Sequence, residues 1–265
     1  MILNDILEHK HTEVEELKRR MPIPKVIRLI EKHKKQKRSL RTALSKHQAL
    51  HFICELKKAS PSEGIIRENF KPKLLAQEFE AAGASAISVL TETRYFKGNP
   101  KTLKQIRPLT SVPLIRKDFI FDPYQIYETA LLDADAFLLI AMLVTDSELK
   151  EMLRLARELE LDVLVEVHTK EELDRVLAAG SEIIGINNRN LKTLKIDHSV
   201  SENLIRFIPK DTIVVIESGI ETREEIAQYQ TLGAKCFLIG TTLMKSNNVK
   251  QKILELCGQV SGVSR

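Results

Sequence analysis

The sequence predicts a closed, eight-stranded parallel α/β barrel preceded by an N-terminal helical extension. From residue 51 onward, eight short runs rich in Ile, Val and Leu alternate with amphipathic stretches, the pattern of strands buried on both faces between surface helices. The length of 265 residues suits such a barrel, which holds about 250 residues in one domain. An open doubly wound sheet shares the alternation, but a dinucleotide-binding sheet of that kind carries a G-x-G-x-x-G turn after its first strand. None is present.

Taken in order, residues 4–20 and 25–37 read as helices broken at Pro22 and Pro24, because proline lacks the donor that a helix interior needs. This extension, residues 1–50, either caps one end of the barrel or folds over its mouth as part of the same domain. The strands are expected at 51–57, 86–90, 113–118, 136–140, 162–167, 183–188, 213–218 and 236–240. Helices are expected between them, among others at 73–82, 146–159, 170–179 and 222–232. Thr169 precedes Glu172 at capping-box spacing, and Gly180 and Gly233 follow the last periodic residues of their helices. A last helix at 249–256 completes the barrel region 51–265, and no second domain is expected.

Hydrophobic (43%) and charged (29%) fractions are ordinary for a globular protein. No apolar run approaches the roughly 18 residues of a membrane span, and residues 1–10 carry charge without a secretory core. A cytoplasmic protein with no membrane partner is expected. Cys54, Cys236 and Cys257 lie far apart without paired ligand spacing, so they read as reduced thiols, and no metal is expected. The net charge of +5 is uneven: residues 1–50 hold 13 Lys/Arg against 6 Asp/Glu, and the remainder 28 against 30. The surplus centres on 32–41, which lacks interleaved aromatics. It reads as a solvated helix face that favours an anionic substrate, not as a nucleic-acid surface.

In a parallel barrel the active site lies at the carboxyl ends of the strands. On the first strand Glu55 and Lys57 share a face with Ile53, while Phe52, Cys54 and Leu56 take the other. The third pairs Ile115 with Lys117, and Glu166 is the lone charge of the apolar fifth. The sixth ends in Asn187-Asn188-Arg189 and the seventh in Glu217-Ser218-Gly219. Each group alone has a structural explanation as a paired core charge. Six convergent strand-end groups are hard to explain as packing, because buried charge is costly unless paired, and they point to proton transfer. Phosphate has its own signals. Ser60-Pro61-Ser62 follows the first strand, Ser218-Gly219 the seventh and Gly240-Thr241 the eighth, and the last two loops commonly hold phosphate in this fold.

At these residues the sequence resembles the indole-3-glycerol-phosphate synthase family. The matching blocks are ELKKASPS (55–62), SVLTE (88–92) with Tyr95-Phe96, RKDF (116–119) with DPYQI (122–126), VEVH (165–168), GINNRNL (185–191), ESGI (217–220), and LIG (238–240) with Leu243-Met244. They run in family order from 51 to about 245; the first and the GINNRNL block are highly specific. The resemblance implies a (β/α)8 TIM barrel that converts the anionic substrate 1-(2-carboxyphenylamino)-1-deoxyribulose 5-phosphate to indole-3-glycerol phosphate in tryptophan biosynthesis, without a cofactor. It implies Lys117 as principal general acid and Glu166 as the partner carboxylate for proton transfer in the dehydration, with Lys57 also suited to an acid role; family members differ in how these two are assigned. Glu55 and Asn187 would orient the lysines and substrate hydroxyls, and Glu217 would hold the anilino nitrogen. Ser60, Ser218, Gly219, Gly240 and Thr241 would surround the phosphate. Phe96, Ile115, Phe119, Leu138 and Leu191 would form the ring slot, bordered by Arg189. Asp133 stands where the family has a glycine, on what reads as a surface turn.

Competing readings make distinct demands. A phosphoribosyl isomerase would share the phosphate loops but rely on Cys or Asp at the first strand, where this chain has Glu55 and Lys57. A binding module that had kept only the phosphate site would lack Lys117 or Glu166. A monomer or weak homo-oligomer is expected.

Overall fold

The computed structural model describes residues 2–32 and 38–259. Eight strands close into a barrel: β1 (His51–Leu56), β2 (Ala86–Leu90), β3 (Leu114–Lys117), β4 (Ala136–Ile140), β5 (Asp162–Val167), β6 (Ile183–Asn187), β7 (Ile213–Glu217) and β8 (Cys236–Ile239). Every neighbouring pair is parallel, and β1 pairs with both β2 and β8 to complete the ring. Each strand lies within the range read from the sequence, losing at most a residue or two at its ends.

Alternation divides the apolar side chains into two cores. Ile53, Ile115, Leu138, Leu164, Val215 and Leu238 fill the barrel. Phe52, Cys54, Leu56, Val89, Phe137, Val165, Ile186 and Phe237 face outward and pack under the helices. Those helices include α4 (Pro72–Ala81), α5 (Lys101–Ile106), α6 (Pro123–Leu131), α7 (Asp146–Glu158), α8 (Lys170–Ala178), α9 (Ser199–Leu204) and α10 (Arg223–Thr231). After β8 come α11 (Thr241–Lys245) and α12 (Val249–Leu256).

Local chemistry starts these helices. Asp122, Thr145 and Thr222 form capping boxes with Gln125, Glu148 and Glu225, satisfying N–H groups that a helix leaves open at its start. Thr169 caps α8, but Glu172 does not complete the expected box: its carboxylate takes the His168 N–H at 2.7 Å. Asp133, just after α6, has a left-handed φ of 62°, the conformation that glycine adopts most easily. It is also nearly buried, so the turn is not the surface turn expected.

The N-terminal extension answers both alternatives at once. Helix α1 (Ile2–Arg20) lies over the mouth, where Lys10 pairs with Asp118 at 3.0 Å and Lys18 with Asp122 at 2.6 Å. Helix α2 (Ile23–Lys32) runs down the outside against α6, burying Val26 beside Tyr124. Pro24 does not break it, because a proline in the first turn forfeits no intrahelical hydrogen bond; only the Pro22 break is real. Helix α3 (Leu40–Leu44) then closes the opposite end. The Ser39 hydroxyl and Arg41 N–H donate to Asp162 at the start of β5, and Leu40 and Leu44 enter the inner core. Burying two leucines there contributes roughly 1.5–3 kcal/mol each. The expected helix beyond Lys32 and half of the basic run at 32–41 fall in 33–37, outside the described residues. Among the described residues no helix is long and apolar enough to cross a membrane.

Candidate active site

One cavity occupies the carboxyl ends of the strands. Glu55, Lys57, Lys117, Glu166, Asn187 and Glu217 all line it, so the six strand-end groups do converge. Lys117 is central: its Nζ stands 2.5 Å from Glu217 Oε2 and 3.7 Å from Glu166 Oε2. Lys57 pairs with Glu55 at 3.1 Å. Two glycines make room for the carboxylates. A Cβ on Gly185 of β6 would collide with Glu217 Oε1, and one on Gly240 after β8 with Glu55 Oε2.

Electrostatics separates the members of the cluster. Burial works against the Lys117 ammonium, but the charges of Glu217, Glu166 and Glu55 outweigh it and raise its pKa. Burial pushes the Glu217 carboxyl up to about 7; Glu166 and Glu55 add to the shift and Lys117 opposes it. Lys117 is thus a firmly protonated acid, and Glu217 is a carboxyl that changes charge near neutrality. Glu217 Oε1 is buried without a hydrogen-bond donor among the described residues, so it has capacity to receive a ligand's N–H.

The loops expected to hold phosphate form the adjacent wall. Ser60, Ser218, Gly219, Gly240 and Thr241 all line the cavity. Ser218 and Gly219 are successive left-handed residues, with φ of 66° and 82°. A serine in that conformation is uncommon and is held by its surroundings. Asn188 Nδ2 donates to the Ser218 carbonyl at 3.2 Å and to the Tyr229 hydroxyl at 3.0 Å, bracing the turn from behind. Arg189 lies at the rim, its guanidinium donating to the Leu194 carbonyl at 2.8 Å.

The third wall is apolar. Phe96, Phe119, Leu138 and Leu191 line it, the two phenyl rings 6.2 Å apart. Ile115 does not. It is fully buried in the inner core, two residues before Lys117 on the same strand face and one layer below the cavity floor. Its expected place in the ring slot is therefore corrected.

Several lining or supporting residues went unread in the sequence. Ile2, Leu3 and Ile6 of α1 roof the cavity. The buried positions of that helix are Leu3, Ile6, Lys10 and Val14, so Lys10 occupies the apolar stripe, and a lysine there was the available signal. It meets Asp118, which also binds Arg116 and the Thr91 hydroxyl. Glu92, fully buried, accepts the N–H groups of Arg94, Tyr95 and Phe96 at 2.7–2.9 Å and so fixes the turn that presents Phe96.

Comparison with known proteins adds an independent line. Residues 3–256 match the family model described as indole-3-glycerol phosphate synthase. The chain is 43% identical over 256 residues to the indole-3-glycerol phosphate synthase of Alkaliphilus metalliredigens, covering 97% of this chain and 98% of that protein. It is 45% identical over 262 residues to the one of Caldanaerobacter subterraneus subsp. tengcongensis, covering 99% and 100%. Among solved structures, 3-hexulose-6-phosphate synthase from Salmonella typhimurium matches with a TM-score of 0.64 over 79% of this chain and 98% of that one. KGPDC from Streptococcus mutans matches with 0.62 over 80% and 97%. At 11% and 13% identity these two share the fold alone.

Proposed function

The chain belongs to the indole-3-glycerol phosphate synthase family, and we propose that the cluster at its barrel mouth performs that reaction with Lys117 as general acid. The enzyme is a carboxy-lyase of tryptophan biosynthesis. Its substrate, 1-(2-carboxyphenylamino)-1-deoxyribulose 5-phosphate, closes its ring, then loses carbon dioxide and water.

Lys117 donates a proton to the ketone oxygen as the aromatic carbon attacks the carbonyl carbon. Loss of carbon dioxide restores the aromatic ring without a base at that carbon. Dehydration requires an acid at the departing hydroxyl and a carboxylate to take a proton from the ring-closed intermediate. Glu166 is that carboxylate, and Lys57, paired with Glu55, supplies the acid. Glu217 receives the anilino N–H, and Asn187 orients the hydroxyls. Phosphate binds at Ser60, Ser218, Gly219, Gly240 and Thr241, bordered by Arg189. The ring lies against Phe96, Phe119, Leu138 and Leu191. No cofactor enters the scheme.

The observation that carries this reading is the Lys117 ammonium between Glu217 and Glu166, on the floor of a cavity with one apolar wall and one Ser/Gly wall. We further propose a cytoplasmic protein without a nucleic-acid partner, in which residues 1–50 and the barrel form one domain. Leu3, Ile6, Leu40 and Leu44 share the inner core with the strands, which supports the last point.

Continuous fluorescence on purified protein given the carboxyphenylamino-deoxyribulose phosphate tests the scheme, with Lys117→Ala alongside. The parent should form indole product, and the folded variant should lose about 10²–10⁴-fold in kcat. Folded parent protein that binds the substrate without turnover would overturn it.

A further inference from the structure

Glu166 has two sides. Its Oε2 faces Lys117, and its Oε1 faces the His168 ring, with Nε2 at 3.4 Å. The other ring nitrogen, Nδ1, stands 3.5 Å from Glu172 Oε2. Glu172 is itself held, accepting the His168 N–H at 2.7 Å while its own N–H donates to the Thr169 hydroxyl at 3.2 Å. The His168 side chain is only 13% exposed, and neither ring nitrogen has a hydrogen-bond partner among the described residues. His168 does not line the cavity.

A neutral imidazole has one N–H, so between two carboxylates it would turn a lone pair toward one of them. An imidazolium has two N–H groups and suits both. The charged groups facing the ring are Glu166 on β5, Glu172 on α8 and Glu217 on β7; Lys117 on β3 lies beyond Glu166, and Arg175 on α8 acts on Glu172. Three carboxylates therefore favour the charged ring. Burial opposes the charge, but the Glu172 carboxylate 3.5 Å from Nδ1 and the charges of Glu166 and Glu217 raise the His168 pKa.

This array matters because of what happens to Lys117. As an acid it surrenders its proton, and at that moment Glu166 loses the cation beside it. We propose that His168 is a positioning residue of the reaction, an imidazole clamped between Glu166 and Glu172 that holds the Glu166 carboxylate and balances its charge while Lys117 gives up its proton. The proposal rests on the assignment of Glu166 as the proton-accepting carboxylate.

The test combines pH profiles of kcat for the parent, His168→Gln and Glu172→Gln with an NMR titration of the parent's histidine rings, His168 being assigned from its variant. His168→Gln takes a cation from beside the proton-accepting carboxylate, so the acid limb of kcat should move up by about one pH unit. KM should stay within about twofold, because the ring touches no substrate. Glu172→Gln should move the limb in the same direction by less. In the parent, His168 should titrate above its ordinary 6.5, and the midpoint should fall in Glu166→Gln. An unmoved limb with lowered kcat would mark a merely structural residue and overturn the proposal. A His168 midpoint at or below 6.5 in the parent would overturn it even if no variant folds. Parental kcat in Glu166→Gln would defeat the assignment beneath it and the proposal with it, an outcome distinct from the other two.

Discussion

At the scale of the residue, the cluster buries Glu217 beside Glu166 and Glu55, which is why its carboxyl is pushed up to about 7 despite Lys117 at 2.5 Å. An acid whose folded pKa exceeds its ordinary value of 4.5 contributes stability below that value and withdraws it as pH rises through the folded one. The parent should therefore lose stability between about pH 4.5 and 7 on this account, and Glu217→Gln, which cannot ionise, should not. Urea unfolding of both proteins at pH 5 and pH 8 should show the variant gaining roughly 1–3 kcal/mol relative to the parent on going to the higher pH. A difference that does not change with pH would mean that Glu217 ionises at its ordinary value. Among these residues Glu55, Lys57, Lys117, Glu166 and Glu217 were legible in the sequence because strand-end position and alternation are local. Ile115 was misread because alternation says which face a residue takes, but not at which height in the barrel that face opens into the cavity.

At the scale of the element, α1 is the least self-sufficient piece. Its apolar stripe is interrupted by Lys10, whose charge is buried on Asp118, one residue beyond Lys117. Asp118 also takes its own following N–H, that of Phe119, at 2.9 Å, so the latch that holds the roof also holds an aromatic wall. Lys10→Met keeps the length and apolar stem but removes one of the two cations paired with the buried Asp118 carboxylate, which should cost about 1.5–3 kcal/mol in chemical denaturation. Steady-state kinetics should show KM rising several-fold with kcat less affected, because roof and wall contact the substrate and Lys117 keeps its partners. A fall confined to kcat would remove α1 from substrate binding. The helix itself was legible from its pattern. Its destination was not, since Lys10 and Asp118 are 108 residues apart and no local signal pairs them.

At the scale of the whole molecule, the two ends of the barrel, where apolar interior meets solvent, are covered by α1 and α3 of the same chain. The large exposed apolar side chains among the described residues, Leu29, Ile65, Leu74, Leu109, Ile196, Phe207 and Leu232, come singly from seven different segments of the chain. We therefore expect a monomer: light scattering coupled to size exclusion should give a mass near 30.2 kDa, and a stable species of twice that mass would contradict it. The strand count, the barrel and the sidedness of the first and third strands followed from the sequence alone, because a parallel strand buried on both faces imposes a short continuous apolar run and catalysis at strand ends leaves polar residues at predictable offsets; the family followed from motif blocks that resemble it in order. Closure of the ring decided the rest. It brought Lys117 to Glu217 across 100 residues, set Gly185 and Gly240 against the carboxylates they accommodate, and sent one N-terminal segment to both ends of the barrel. Those are contacts between positions with no local relation, and the ordering that makes them is a property of the packed whole.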